Sequence, residues 1–299
     1  MCFISFPKLI IINSQQLTLL MTKIKAIIKL SRIDNFLITF FAVIVAAIIA
    51  KGETLDILEI SAAAFAMAFA CSAGNIINDI YDIEIDKINR PERMLPQKVI
   101  SIETAKMIYV IYLILSITFA YYNGMESVIF LTAVNIVLFI YSTSIKNVVL
   151  VGNIVVSLLT MSALIYGAMI AGNTAAGIIP GVFAFFTNFI REIIKDIEDV
   201  EGDSANNVIT FPNLKGIKKS IRLIHILTVI LILLTTVPFL FRIYRIEYFI
   251  LVMPVVNGLF VYMLRSLRED YSIKNMRRMS NLVKLIMIIG IIAIYLGNM

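Results

Sequence analysis

Asn75, Asn78, Asp79, Asp82 and Asp86 form a polar set whose spacing returns 117 residues later as Glu192, Lys195, Asp196, Asp199 and Asp203. In both sets the members fall at i, i+3, i+4, i+7 and i+11, which on an α-helix is one face. The windows 75–86 and 192–203 hold ten of the chain's twenty carboxylates. Charge of one sign at that density repels itself, by roughly 1–4 kcal/mol per close pair depending on the local dielectric, unless cations sit among the carboxylates. Oxygen-only donors, with the amides of Asn75 and Asn78 among them, suit hard cations such as magnesium rather than zinc or copper. Magnesium binds through one or two carboxylates plus substrate phosphate. Two facing stripes would therefore grip a diphosphate through two or more ions. A solvated helix end with ordinary loop acids explains one such stripe, and it explains two matched stripes poorly.

Cations accompany the acids. Asn89-Arg90-Pro91-Glu92-Arg93 follows the first stripe, and Arg191 and Lys195 precede and interleave with the second. Lys146 closes the segment Tyr141-Ser142-Thr143-Ser144-Ile145-Lys146, and Arg32 and Asn35 stand where the first apolar run begins. Cations placed here would bind the non-bridging oxygens of a diphosphate and stabilise it as it departs. Arg268, Lys274, Arg277 and Arg278 are expected to be ordinary flank charge. The single histidine, His225, excludes a multi-histidine metal site and is expected to make a polar or packing contact near a helix end. Two cysteines, Cys2 and Cys71, exclude a disulfide framework.

The elements that position these residues are apolar helices. The 299-residue chain is 60% hydrophobic and 15% charged, well below the charge of a soluble domain. Runs long enough for a hydrocarbon core fall at roughly 33–50, 57–80, 104–122, 125–143, 148–171, 174–196, 218–241, 246–266 and 280–297. Nineteen Lys and Arg residues then lie on one side and three (Lys51, Arg242 and Arg245) on the other. The expectation is an all-α polytopic membrane protein of nine spans with a cytoplasmic N-terminus. It places the acidic motifs at the cytoplasmic ends of spans two and six. Residues 1–22 read as an extension, either an interfacial segment or the product of a start upstream of Met21, and 23–299 as one domain. The offset between the stripes suggests that spans 1–4 and 5–8 are related halves, with span 9 added.

At these residues the chain resembles the UbiA superfamily of intramembrane prenyltransferases. The first signature there, N-x-x-x-D-x-x-x-D, is met by Asn78, Asp82 and Asp86, running on into Asn89-Arg90-Pro91; the second, D-x-x-x-D, is met by Asp199 and Asp203. The resemblance extends over nearly the whole chain from about Lys23. Where the family usually reads Arg-Pro-Leu-Pro, this chain has Arg93-Met94-Leu95-Pro96. The resemblance implies a Mg2+-dependent enzyme at the cell membrane with its active site facing the cytoplasm. Asn78, Asp82, Asp86, Asp199 and Asp203 would be its metal ligands, and the four aspartates its catalytic residues. Arg32, Asn35, Asn75, Asp79, Arg90, Lys146, Arg191, Lys195 and Asp196 would bind substrate, with Arg90, Lys146 and Arg191 holding phosphate.

The stretch 191–203 further resembles the archaeal branch of the family that makes digeranylgeranylglyceryl phosphate. That implies transfer of a geranylgeranyl group from its diphosphate to the glycerol hydroxyl of geranylgeranylglyceryl phosphate, forming the second ether bond of archaeal membrane lipid. The partners implied are a prenyl diphosphate, a lipid-phosphate acceptor and the membrane, with no nucleic acid and no obligatory protein partner. Within the class the alternative is prenylation of an aromatic acceptor such as 4-hydroxybenzoate. Outside it stands a transporter of divalent cations or polyprenyl phosphates, disfavoured because transporters place such groups nearer the membrane midplane.

Overall fold

The computed structural model describes residues 14–51, 56–206 and 208–299. Nine helices among them are long and apolar enough to cross a membrane, and the expected boundaries hold to within a few residues for eight. Chain order begins with α1 (Ser14–Leu30), then span 1 in α2 (Ile33–Lys51) and span 2 in α3 (Ile57–Tyr81) with the short α4 (Ile83–Asn89) behind it. Spans 3 to 5 are α5 (Ile102–Tyr122), α6 (Met125–Thr143) and α7 (Val151–Ile170). Span 6 is α8 (Ile178–Glu198), followed by α9 (Val200–Ala205) and α10 (Phe211–Lys215). Span 7 is α11 (Ile217–Leu240), span 8 is α12 (Ile246–Leu251) continued in α13 (Asn257–Glu269), and span 9 is α14 (Ile273–Asn298). Among the described residues there is no strand, as expected where a spanning backbone must satisfy its own polar groups.

The ninth span differs from expectation at its start. It begins two turns earlier, at Ile273, because Met276 and Met279 are buried while Lys274, Arg277 and Arg278 are exposed. A hydropathy window misses such an amphipathic entry. At the other end of the chain, α1 runs without a break through the boundary drawn at residue 22; residues 1–13 lie outside the described residues.

Small residues let the central helices approach closely, which substitutes in lipid for a hydrophobic driving force. α3 buries Ala62, Ala63, Ala64, Ala66, Ala68, Ala70 and Ala73 where it packs against α2, α5 and α6. Gly167 of α7 lies so near α2 that a Cβ there would stand 2.3 Å from the Val43 carbonyl oxygen. α8 packs against α7, α11 and α14, and its Ile190, Ile193 and Ile194 enter the largest apolar cluster. α3 and α8, which carry the two stripes, are thereby the most buried spans in the bundle. Span 8 widens into a π-helical turn at Val252–Val256, which contains Pro254, a residue with no N–H to give the preceding turn.

Candidate active site

Each stripe changes helix at its fourth member. Asp82 caps α3 with φ −96° and ψ 7°, and Asp199 caps α8 with φ −95° and ψ 4°. Both lie in the bridge region of backbone space, where many active-site residues sit. The main-chain ladder nevertheless carries on. Asp82 N–H donates to Asn78 C=O at 2.9 Å and Asp86 N–H to Asp82 C=O at 2.8 Å; Asp199 N–H donates to Lys195 C=O at 2.9 Å and Asp203 N–H to Asp199 C=O at 3.0 Å. The one face implied by the spacing survives, but each stripe ends on a separate short helix, α4 or α9, rather than on its span.

Asn89 ties the two turns together. Its Nδ2 donates to the Asp199 carbonyl at 3.0 Å, and its Oδ1 accepts from Gly202 N–H at 2.9 Å. A Cβ on Gly202 would lie 2.3 Å from that Oδ1, so only glycine permits the contact. Gly152 similarly admits the Lys146 backbone, whose Cα would be 2.9 Å from an added Cβ.

The acids are held by cations and amides. Asp79 accepts from Arg32 and, at 3.1 Å, from Arg93, which also pairs with Asp86. Asp82 accepts from Lys146 and, at 2.7 Å, from Asn78 Nδ2. Arg90 reaches both oxygens of Asp199, at 3.0 and 2.9 Å. Asp196 accepts from Asn153 at 2.8 Å, and Glu192 from Arg191 at 2.9 Å and Lys195 at 2.8 Å. Burial pushes the Asp203 carboxyl up to about 7, with Asp199 and Asp82 adding to the rise against Arg90 and Lys146. Burial likewise pushes Asp86 up to about 6, against the pull of Arg93. The pocket holds more negative charge than its own cations satisfy.

Two adjoining cavities result. A polar pocket of about 110 Å3 is lined by Asn78, Asp82 and Asp86 from the first stripe, by Glu192, Lys195, Asp196, Asp199 and Asp203 from the second, and by Arg32, Arg90 and Lys146. An apolar chamber of about 250 Å3 adjoins it, and Arg32, Asn78, Tyr141, Glu192 and Lys195 line both. Along α8 the chamber extends from Glu192 to Pro180, about 18 Å at the helical rise per residue, and Tyr248 and Thr235 line it farther along the bundle.

The structure thus brings Asn78, Asp82, Asp86, Arg32, Arg90, Lys146, Lys195, Asp196, Asp199 and Asp203 to one pocket. Asn35, Asn75 and Arg191 line only the chamber, and Asp79 lines neither but holds Arg32 and Arg93. His225 makes the expected polar contact, accepting from Arg268 Nε at 2.7 Å. Arg277 is more than flank charge: its Nε donates to Glu198 at 2.9 Å, on the rim of the second turn. Sequence reasoning passed over Arg93, Asn153 and Tyr141 as site residues, and the clamp made by Asn89. Arg93 and Asn89 lay in a quoted motif, whereas nothing in the spacing flags Asn153.

The donor set suits magnesium. Every candidate ligand is an oxygen, and Asn78 Oδ1 is buried without a hydrogen-bond partner. Among the described residues no three carboxylate, imidazole or thiol groups converge as a ready-made cage.

Among the described residues, nine apolar helices around an oxygen-rich pocket beside an apolar chamber define a multi-pass membrane protein. Residues 38–288 match the UbiA prenyltransferase family, and the chain belongs to that family and is a prenyltransferase. It is 33% identical over 270 residues to digeranylgeranylglyceryl phosphate synthase of Methanosphaera stadtmanae, covering 90% of this chain and 98% of that one. It is 31% identical over 277 residues to the protein of the same name from Methanocaldococcus jannaschii, covering 93% and 97%. A solved structure of a digeranylgeranylglyceryl phosphate synthase superposes with a TM-score of 0.71 at 31% identity, covering 92% of this chain and 98% of that one. A UbiA homologue from Archaeoglobus fulgidus bound to GPP and Mg2+ shares the fold, with a TM-score of 0.65 at 17% identity over 90% and 99% of the two chains.

Proposed function

We propose that this protein transfers a geranylgeranyl group from geranylgeranyl diphosphate to the free glycerol hydroxyl of geranylgeranylglyceryl phosphate, with Mg2+ as cofactor, at the cytoplasmic face of the membrane. The observation that carries the proposal is the polar pocket between two acidic turns adjoining a chamber about 18 Å deep. A diphosphate head and an isoprenoid tail fit those two environments in that order. The names of the relatives support the acceptor, and the one-sided distribution of Lys and Arg supports the orientation.

Asp82, Asp86, Asp199 and Asp203, with Asn78 Oδ1, would hold the cation. When bound it supplies positive charge against the diphosphate as the leaving group gains negative charge. Arg90 and Lys146 line the same pocket and have N–H groups for the non-bridging oxygens. The C1–O bond breaks with its electron pair going to diphosphate. Tyr141, on the boundary of pocket and chamber, presents a ring to the allylic cation, and the chamber wall excludes water from it. The acceptor hydroxyl oxygen forms the new bond to C1, and its proton passes to the released diphosphate. Glu192 is already held by two cations, and Glu198 lines neither cavity. Residues from 23 onward act as one domain in this reading, and the matched turns at Asp82 and Asp199 support a duplication of spans 1–4 as 5–8.

The test uses purified protein in detergent with Mg2+ and labelled geranylgeranyl diphosphate, offering geranylgeranylglyceryl phosphate or 4-hydroxybenzoate, each with and without chelator. Chelator-sensitive product from the glycerol phosphate alone is expected. Product from the aromatic acid alone overturns the acceptor.

A further inference from the structure

Arg191 occupies a place that a diphosphate over the acidic turns does not explain. Arg90 and Lys146 line the polar pocket and not the chamber, whereas Arg191 lines the chamber and not the polar pocket. Its Nη1 donates to Glu192 Oε1 at 2.9 Å, and the other Glu192 oxygen accepts from Lys195 at 2.8 Å. One carboxylate is thus shared by two cations. Arg191 Nε is buried and has no hydrogen-bond partner, a state that costs a donor its full desolvation unless a ligand answers it.

Two further cations converge on the same end of the chamber. Arg32 lines it beside Asn35. Lys284 of α14 pairs with Asp34 of α2, the neighbour of the chamber-lining Asn35. Glu192 and Asp34 are the partners at hand for Arg191, Lys195 and Lys284, which leaves this end of the chamber net positive. Arg32 and Lys195 also line the polar pocket, whereas Arg191 and Lys284 do not, so the part of this net positive cluster that stands apart from the metal-holding carboxylates is centred on Arg191, where a lipid-borne anion finds a donor without metal.

We propose that Arg191, flanked by Arg32 and Lys284, is a second anion subsite that binds the phosphate monoester of the acceptor, separate from the diphosphate subsite at Arg90 and Lys146. The proposal rests on the acceptor assigned in the preceding section. It makes Arg191 a specificity residue: an acceptor without phosphate leaves its Nε–H unanswered, and a site built for a buried polar contact discriminates strongly against a ligand that lacks it. Glu192 and Lys195 line both cavities, so the glycerol of an acceptor anchored at Arg191 lies across the boundary from which C1 of the diphosphate is reached.

The experiment compares kcat/KM for geranylgeranylglyceryl phosphate and for geranylgeranylglycerol, its dephosphorylated counterpart, in the wild type, Arg191→Gln and Arg191→Lys, with saturating Mg2+ and geranylgeranyl diphosphate. The ratio of the two acceptors is read within each preparation, so a loss of folded protein cancels. The expected result is a preference of the wild type for the phosphate that shrinks by roughly 10- to 100-fold in Arg191→Gln, the range of a charged hydrogen bond, with partial recovery in Arg191→Lys. An unchanged ratio, or a defect confined to KM for geranylgeranyl diphosphate, overturns the subsite. A wild type that makes no product from geranylgeranylglyceryl phosphate, while prenylating 4-hydroxybenzoate, overturns the acceptor assignment and the subsite with it.

Discussion

The two acidic turns share a backbone and differ in their partners. Asp82 and Asp199 adopt nearly the same φ and ψ, and each is followed by a short helix carrying the last acid of its stripe. At the first turn every aspartate has a cation: Asp79 has Arg32 and Arg93, Asp82 has Lys146, and Asp86 has Arg93. At the second, Asp199 borrows Arg90 from the first half of the chain, Asp196 accepts from the amide of Asn153, and neither Asp196 nor Asp203 forms an ion pair among the described residues. The segment behind α4 and the turn behind α6 therefore supply cation to both halves, and the second half supplies mostly acid. Two matching backbone turns carry unequal electrostatics, and the pocket forms between them.

The comparison breaks most visibly if the turns are not equivalent in catalysis. Asp82→Asn and Asp199→Asn are each expected to lower kcat by at least about 10^2–10^3-fold, the scale of losing a group that stabilises developing charge, with the helical circular dichroism spectrum retained. A large loss at one turn and a small loss at the other would mean that a single turn carries the chemistry. Gly202→Ala sharpens the comparison next. Its Cβ displaces the Asn89 carboxamide that joins the turns, with an expected overpacking cost of about 1–3 kcal/mol. The loss of activity should exceed what the fall in melting temperature explains, and Asn89→Ala should reproduce it.

Arg90→Ala tests the borrowed cation. It leaves Asp199 unpaired, which destabilises metal-free protein by up to about 3 kcal/mol, and the double variant Arg90→Ala/Asp199→Asn should recover most of that in thermal unfolding. The smallest effect belongs to Asn153→Ala, which removes the one amide from Asp196 and should cost about 1 kcal/mol with little change in KM for the diphosphate.

The spans and both stripes were legible because a bilayer demands long apolar runs and because acids cost too much there to be incidental. The change of helix at Asp82 and Asp199 was not legible: the backbone ladder keeps its register through the turn, so the sequence spacing is the same with or without it. The start of α14 was hidden by Arg277 and Arg278 on the outer face of an otherwise buried turn. Arg191 was legible as a cation beside the second stripe, but which of two cavities it lines depends on how α8 rotates against α2 and α14, and one sequence does not encode that visibly. Asn153 contacts Asp196 from a different helix, which no local pattern reports.

The central claim is that both turns hold one magnesium–diphosphate head between them. Calorimetric binding of geranylgeranyl diphosphate to wild type, Asp82→Asn and Asp199→Asn, with Mg2+ and with chelator, tests it most directly. Binding is expected to require Mg2+ in the wild type and to be strongly weakened by either substitution. Wild-type affinity retained in chelator, or in either variant with Mg2+, would contradict it.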